Sequence, residues 1–202
     1  MKEEENMGNK IIALLGGACV GKDTVRKLLL ERHKDLVVAT SHTTRPLRTS
    51  ENGTEYHFID EAEFMAMYEH GEFVQTREYE VIAEDGNTTT WYYGYSSDEI
   101  NRCLERGNIL MIVDLEGFKA FKEIYGDDCI GAYLNANKDL RVKRYLERDE
   151  ITWQKVCECI RRIEDDDNRA FKDVDKYVEY LIDVDESSLN TCLKLEQIIE
   201  LL

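Results

Sequence analysis

Three features are scarce in this 202-residue chain: proline, positive charge and long apolar runs. The only proline is Pro46, and no segment is both long and apolar enough to span a bilayer. The first nine residues are polar and acidic without an apolar centre, so they do not resemble a signal peptide. These absences predict a cytoplasmic protein.

The shortage of positive charge restricts the partners of the chain. Lysine and arginine number 26 against 42 acidic residues, which gives a net charge of −16. Nucleic acids and anionic membranes bind positive surfaces, so both are disfavoured as partners. An anionic substrate would need a local cluster of lysine and arginine. The composition, 43% hydrophobic and 34% charged, is that of a globular protein, and the length indicates one domain with a sizeable core.

The cysteines and histidines form no metal-binding pattern. Cys157 and Cys159 are too closely spaced for a zinc pair, and no second pair accompanies them. The six cysteines are interpreted as small buried hydrophobes in a reducing compartment. Cys19 differs from the others because it lies in a glycine-rich segment.

That glycine-rich segment is the most informative part of the sequence. It follows the apolar run 11–15, a predicted strand, and precedes a predicted helix over residues 22–33. A strand, G-x-x-x-x-G-K and a helix form a phosphate-binding loop, in which backbone N–H groups and one lysine meet phosphate oxygens. The predicted ATP-binding residues are Gly16, Gly17, Ala18, Cys19, Val20, Gly21, Lys22, Asp23 and Thr24.

Strands alternating with helices predict a parallel sheet covered on both sides by helices. Asp60 and Ser96 each precede a glutamate by three residues, which predicts two capped helices, and Ser187 is predicted to cap the last one. The predicted strands after the first are residues 36–41, 109–113, 129–134 and 177–182. Residues 137–168 are highly charged and predicted to be helical.

Asp114 follows the apolar strand 109–113 directly. A strand that is apolar throughout is buried on both faces, as parallel strands are, and ligands bind at the carboxyl ends of such strands. An aspartate at that end commonly orients magnesium or its waters beside a phosphate-binding loop. Asp114 is therefore a candidate metal-orienting residue, although a buried strand also often ends in a polar residue.

A second cluster follows residues 36–41. Arg45 and Arg48 are three residues apart, with hydroxyl side chains just before them. Guanidinium groups bind pairs of phosphate oxygens, so this segment suits a dianionic phosphate. Tyrosine-rich segments follow, among them Tyr56-His57-Phe58 and Tyr92-Tyr93-Gly94, whose alternative role is packing.

In this order the motifs resemble the guanylate kinase family. The family typically has a phosphate loop, S-x-T-T-R-x-x-R, E-x-x-G-x-x-Y-x-F, G-E-F, Y-Y-G, a strand ending in aspartate, and lid helices that carry arginines. Residues 51–58, E-N-G-T-E-Y-H-F, match the E-x-x-G-x-x-Y-x-F block closely, and the order holds over residues 10–185. Each motif is weak alone, but the ordered set is specific.

The resemblance implies a three-layer α/β fold of the P-loop NTPase type with a parallel sheet core. It implies a single domain, residues 1–202, whose core comprises residues 10–41, 96–136 and 169–202. Residues 42–95 would form an inserted monophosphate-binding subdomain, and residues 137–168 a helical lid.

The resemblance also assigns roles to residues. The acceptor monophosphate would be bound by Ser41, Arg45, Arg48, Tyr56, Gln75, Tyr93 and Asp114. Arg144, Arg148 and Arg162 would close over the phosphates, with Arg161 as the alternative to Arg162, while Arg141 is interpreted as part of a solvated helix face. Catalysis would rest on Lys22, Arg45, Arg144, Arg148 and Arg162. Asp23 and Asp114 would hold Mg²⁺, directly or through water.

Three positions depart from the family pattern. Asp23 replaces the hydroxyl residue that usually binds magnesium, Gln75 replaces a glutamate that accepts guanine N–H groups, and Tyr95 replaces a serine or threonine beside the base. The segment 76–91 is also longer than usual, with Gly86-Asn87 as a predicted hairpin turn. Glu78 or Glu80 is an alternative for reading the base. Phosphate binding is thus retained and base reading altered.

The expected function is ATP- and magnesium-dependent phosphorylation of a nucleoside monophosphate, GMP or dGMP. The expected partners are these small nucleotides, without nucleic acid or membrane, for either a monomer or a homo-oligomer. A kinase for another monophosphate or for a phosphorylated sugar is an alternative suggested by Gln75 and Tyr95. A non-catalytic protein-binding module is a third, although such modules tend to lose the phosphate loop that is present here.

Overall fold

The computed structural model of the chain describes residues 8–47, 51–82, 88–147 and 151–202. Its strands and helices, in chain order, are β1 (Ile11–Leu15), α1 (Lys22–Arg32), β2 (His42–Thr43), β3 (His57–Phe58), α2 (Glu61–Glu69), β4 (Phe73–Ile82), β5 (Thr88–Ser96), α3 (Ser97–Leu104), β6 (Ile109–Ile112), α4 (Leu115–Tyr125), β7 (Cys129–Asn135), α5 (Lys138–Leu146), α6 (Trp153–Asp165), β8 (Tyr180–Asp183) and α7 (Ser188–Ile199). No helix within these ranges is long and apolar enough to cross a membrane.

The core is a parallel sheet in the order β6-β1-β7-β8. All five residues of β1 have zero exposure, because the strand is central and covered on both faces. Ile12 and Leu14 pack in one apolar layer with residues of α1 and α7. The alternate residues of β1 pack on the opposite side with Phe118 and Phe121 of α4. The result is the predicted α/β architecture, with a helical layer on each face of the sheet.

A second, mixed sheet has the order β3-β2-β5-β4. The β4–β5 hairpin pairs Gln75 with Tyr95 and Arg77 with Tyr93, so these four side chains share one face. Glu78 pairs with Tyr92 on the opposite face, where helix α2 lies. The predicted turn at Gly86-Asn87 lies outside the described residues.

Side-chain caps explain where the helices begin. Asp60 accepts a hydrogen bond from the Glu63 N–H at 2.8 Å, and Ser96 from the Glu99 N–H at 3.3 Å. Ser187 accepts one from the Asn190 N–H at 3.3 Å. Each such cap contributes about 1 kcal/mol to stability. The three predicted caps are confirmed.

Two predicted strands differ from the structure. Of residues 36–41, only Val37 pairs with the core sheet, through a bridge to Ile109. The chain then turns away, and the Thr40 N–H donates to the Glu99 carboxylate at 2.9 Å instead of to a neighbouring strand. The predicted strand 177–182 begins only at Tyr180, because a 3-10 turn over Val174–Lys176 precedes it.

The charged segment 137–168, predicted to be helical, contains the two helices α5 and α6. Asn137 caps α5 by accepting from the Leu140 N–H at 2.8 Å, and Thr152 caps α6 by accepting from the Lys155 N–H at 3.2 Å. A single π-helical turn, Asp166–Ala170, follows α6. Such turns redirect side chains and recur at functional sites. Here the turn places the Asp166 carboxylate against the loop that follows β1 and the Asp167 carboxylate against Arg141.

Candidate active site

The loop between β1 and α1 lies at the carboxyl end of the central strand. Gly21 precedes α1 with a φ of 105°, a left-handed conformation that favours glycine, and it offers no side-chain cap to the helix. The N–H groups at the start of α1 are thereby left for an anion. Cys19 also has a positive φ, 61°, although it carries a side chain. The loop therefore has the strained, glycine-dependent backbone of a phosphate site.

Lys22 folds back over this loop. Its Nζ donates to the Gly16 carbonyl at 2.6 Å and to the Gly17 carbonyl at 3.0 Å. Burial lowers the pKa of Lys22, an effect that nearby Asp166 and Asp23 oppose. A desolvated ammonium gains more than an exposed one from an arriving phosphate, because the phosphate offsets its desolvation cost.

One carboxylate already occupies the loop. The Ala18 N–H donates to Asp166 Oδ2 at 2.6 Å, and Arg141 donates to the same oxygen at 2.6 Å. Arg141 also donates to the Ala18 carbonyl at 3.0 Å and pairs with Asp167. A Cβ on Gly17 would lie 2.3 Å from the Arg141 guanidinium, so a side chain there would displace Arg141 from these contacts.

The interpretation of Arg141 as part of a solvated face was wrong. Its side chain is only 4% exposed and joins the loop after β1 to the turn after α6. The i, i+3 spacing indicates that the arginines share one face of a helix, but it does not indicate what packs against that face. The run of three aspartates, 165–167, was the only sequence signal of a buried cationic partner.

The predicted lid arginines have different environments. Arg144 donates to the Val20 carbonyl of the loop at 2.8 Å and to the Asp185 carbonyl at 3.0 Å. Arg162 lines a cavity of about 520 Å³ between α5 and α6, together with Arg161 and Tyr145. Its charge contributes to the lowered pKa of Lys22, so it lies within electrostatic reach of that amine. Arg148 lies outside the described residues.

Of the two predicted metal-orienting carboxylates, Asp23 is open to solvent. Its side chain is 87% exposed in the first turn of α1, 3.9 Å from Arg26. Thr24, next to it, is also exposed. In the described residues no group of three or more histidine, cysteine or acidic side chains is arranged to hold a metal ion.

On the second sheet, Arg45 is buried and held in place. Its guanidinium donates to both oxygens of Glu51, at 2.7 and 3.0 Å. It also lies 5.2 Å from the ring centre of Tyr56, and Tyr56 meets Tyr93 edge to face at 5.8 Å. Three of the predicted phosphate-binding residues therefore form one contiguous cluster. Arg48 lies outside the described residues.

The remaining predicted acceptor residues lie beside a residue that the sequence reasoning missed. Arg77 forms a two-point salt bridge with Asp114, with Nε donating to Oδ2 at 2.8 Å. Asp114 also caps α4 by accepting from the Gly117 N–H at 2.7 Å. Gln75 lies near Gly117, Tyr95 packs edge to face on Phe121, and the Ser41 carbonyl accepts from the His57 N–H at 3.0 Å. Side chains alternate between the two faces of a strand, so residue 77 lies on the same face of β4 as Gln75. This alternation was the signal in the sequence from which Arg77 could have been predicted as a site residue.

A parallel sheet with a phosphate loop after its central strand, joined to a smaller mixed sheet, defines the class of P-loop kinases that act on small phosphorylated substrates. The family model described as guanylate kinase matches residues 8–201. The chain belongs to the guanylate kinase family, whose enzymes are nucleoside monophosphate kinases.

Individual relatives agree with this assignment. The chain is 30% identical over 159 residues to a guanylate kinase of Legionella pneumophila (strain Lens), covering 75% of this chain and 71% of the relative. It is 33% identical over 141 residues to one of Prochlorococcus marinus, covering 69% of this chain and 72% of the relative.

Solved structures show the same fold. The guanylate kinase of Anaplasma phagocytophilum superposes with a TM-score of 0.60 at 19% identity, covering 96% of this chain and 85% of that one. An uncharacterised protein of Eubacterium ventriosum superposes with a TM-score of 0.53 at 14% identity, covering 96% of this chain and 99% of that one. At these identities the likeness concerns the fold alone.

Proposed function

We propose that this protein transfers the terminal phosphoryl group of ATP to a nucleoside monophosphate, with GMP or dGMP as the acceptor. The observation that carries the proposal is the pairing of two anion sites. One is the loop with Lys22, and the other is the buried Arg45 beside Tyr56 and Tyr93. Phosphoryl transfer needs positioning and charge neutralisation on both sides of the moving group, and it needs no covalent intermediate.

On the donor side, the loop from Gly16 to Thr24 would hold the ATP phosphates through its backbone N–H groups. Lys22 would leave the two loop carbonyls and follow the transferring phosphoryl group. A phosphate oxygen at the Ala18 N–H takes the position of the Asp166 carboxylate, because the two acceptors compete for one donor. ATP binding therefore requires the turn after α6 to move away from the loop.

On the acceptor side, Arg45 would bind the monophosphate with Arg48, Tyr56 and Tyr93. Glu51 fixes the orientation of Arg45 before the substrate arrives, which reduces the entropy lost on binding. Arg144, Arg148 and Arg162 would neutralise the phosphates from the lid as it closes. Positive charge from the acceptor side and from the lid then surrounds the phosphoryl group in the transition state.

Magnesium is the expected companion of ATP in this reaction. The carboxylate of Asp23 is a suitable ligand for it, directly or through water, because Mg²⁺ prefers oxygen donors and keeps several waters. Asp114 would join as a ligand only when its salt bridge with Arg77 opens. The exposure of Asp23 at the start of α1 leaves its oxygens accessible to such waters. When bound, the ion supplies charge neutralisation on the phosphates.

We also propose the division of the chain inferred from the sequence. The core comprises residues 10–41, 96–136 and 169–202, the acceptor-binding insert residues 42–95, and the lid residues 137–168. The placement of β2 to β5 in a sheet of their own supports the first boundary. The contacts of Arg141 and Arg144 with the loop support a lid that moves against it.

A second candidate acceptor is a different nucleoside monophosphate. Gln75, Tyr95 and the Arg77–Asp114 salt bridge alter the side of the acceptor cluster that would meet the base. A kinase for another monophosphate or a phosphorylated sugar would retain the same phosphate contacts. A non-catalytic binding module would not turn over any acceptor.

The proposal is tested by ATP consumption with Mg²⁺ against a panel of monophosphates and phosphorylated sugars. Turnover of GMP or dGMP is the expected result. Turnover restricted to another acceptor would keep the kinase and replace its substrate. If the folded protein turns over nothing in the panel, the kinase proposal fails and the binding module takes its place.

Replacing Asp166 by asparagine should tighten the binding of ADP by about fivefold, because the competing carboxylate loses its charge and its stronger hydrogen bond to Ala18. Isothermal titration calorimetry with MgADP measures this. Asp165→Asn is the matched control, since that neighbouring side chain is 50% exposed and pairs with Arg169. Weaker ADP binding in Asp166→Asn would contradict the competition and indicate a supporting role for the carboxylate.

A further inference from the structure

Arg77 joins the two sheets at the edge of the acceptor cluster. It lies on β4 directly opposite Tyr93, the residue that meets Tyr56, so it shares the face on which the monophosphate would bind. Its guanidinium reaches across to Asp114, at the end of the core strand β6. A nucleotide with its phosphate at Tyr93 would therefore have Arg77 within its binding site.

The salt bridge changes what Asp114 can offer. One carboxylate oxygen accepts from Arg77 Nε, and the other accepts from Arg77 Nη2 and from the Gly117 N–H. The carboxylate is neutralised and both oxygens are engaged. It is consequently a poor acceptor for N–H groups of a base unless Arg77 leaves.

The same salt bridge orients Arg77 as a donor. A guanidinium carries five N–H groups in a planar fork. The bridge to Asp114 uses the edge formed by Nε and Nη2, and the adjacent edge formed by Nη1 and Nη2 is a second pair of donors with similar spacing. A carboxylate that fixes one edge therefore presents the other edge with a defined direction.

Three nearby side chains, Gln75, Tyr95 and Glu78, do not provide an acidic acceptor in place of Asp114. Gln75 is an uncharged amide whose Nε2 donates to the Thr76 carbonyl at 3.0 Å. Tyr95 is half-buried and meets Phe121 edge to face with ring centres 5.9 Å apart, and it carries no carboxylate. Glu78, one residue along the strand from Arg77, lies on the opposite face with Phe64 and Tyr92.

We propose that Arg77 determines base specificity by donating two hydrogen bonds to a base edge with two adjacent acceptors. This inference rests on the proposed kinase function. Arginine recognises such a pair at O6 and N7 of guanine, and cytosine offers a comparable pair at O2 and N3. Adenine offers only one acceptor beside its amino group at the corresponding edge. The amino group of guanine, which needs an acceptor, then contributes little.

Base analogues distinguish this mode from recognition by a carboxylate. IMP retains O6 and N7 but lacks the 2-amino group, whereas 7-deaza-GMP retains the amino group but lacks N7. Binding of each analogue, of GMP and of CMP is measured by calorimetry, and kcat and KM are measured alongside. Binding is informative even without turnover, so failure of this inference is separable from failure of the kinase proposal.

We expect IMP to bind within about threefold of GMP and 7-deaza-GMP to bind about tenfold more weakly, a difference that corresponds to one lost hydrogen bond to a charged donor. Arg77→Ala should abolish this difference and raise KM more than it lowers kcat. Arg77→Lys, which keeps the charge but not the fork, should recover only part of it. If CMP binds more tightly than GMP, the O2 and N3 acceptors of cytosine are the pair that Arg77 recognises. Arg77→Ala should then remove the preference for CMP over GMP.

The matched control is Arg106→Ala, which removes an exposed guanidinium after α3 and should leave the analogue pattern unchanged. Glu78→Ala removes the acidic side chain that is the alternative base-reading residue, and it should also leave the pattern unchanged. Thermal denaturation of each variant separates a loss of folding from a loss of recognition. The inference is overturned if IMP binds much more weakly than GMP while 7-deaza-GMP binds equally well. It is also overturned if the analogue pattern is the same in Arg77→Ala, or if Glu78→Ala alone changes it.

Discussion

Replacing Lys22 by methionine should lower kcat for phosphoryl transfer by about 10³-fold or more, with a much smaller change in the KM for the acceptor. The effect is large because the ammonium is desolvated and placed where negative charge develops, and removing one such preorganised donor costs about 10²–10³-fold in comparable sites. Methionine keeps the length and apolar part of the side chain. Steady-state kinetics with the best acceptor of the panel measure the loss.

The control for this substitution is Lys27→Met. Lys27 lies on the same helix, but its side chain is 79% exposed and its nearest acidic partner is 4.0 Å away. It should retain full activity. Activity in Lys22→Met within tenfold of the unsubstituted protein would refute the placement of the active site at this loop.

Replacing Arg141 by alanine should destabilise the fold by about 2–3 kcal/mol, because it removes a buried side chain and leaves the half-buried Asp166 carboxylate and the Ala18 carbonyl without their donor. Chemical denaturation measures the difference in the free energy of unfolding. The loss is larger than for a surface ion pair because the Arg141 side chain is only 4% exposed.

Arg169→Ala provides the comparison for that variant. Arg169 pairs with Asp165 at 3.0 Å in the same region, but its side chain is 82% exposed. Its removal should change the free energy of unfolding by less than about 0.5 kcal/mol. A loss below about 1 kcal/mol in Arg141→Ala would show that the buried pairs do not hold the loop and the lid together.

Local signals in the sequence predicted much of the fold. The helix caps at Asp60, Ser96 and Ser187 depend on residues three apart, and the burial of β1 follows from its unbroken apolar run. The strand expected over residues 36–41 failed for a non-local reason. Its β-branched residues favour extended structure, but only Val37 has a strand beside it to pair with.

The candidate site likewise contains features that local motifs predicted and features that depend on non-local packing. The phosphate loop and the contact of Tyr56 with Tyr93 were accessible from motifs. The burial of Arg141 was not, because its partners lie some 25 residues further along the chain. Arg77 was not predicted, because the family pattern concerns position 75 and not position 77. Its salt bridge with Asp114 depends on how the second sheet packs against the end of β6.

The bond between Ala18 and Asp166 joins residues 148 positions apart, and that between Arg141 and Ala18 joins residues 123 apart. Closing such long loops is entropically costly and slows folding compared with local contacts. β1, the loop and α1 precede the groups that pack around the loop, Arg141 by 123 residues and Asp166 by 148 when counted from Ala18. During translation the phosphate loop is therefore made well before the side chains that surround it.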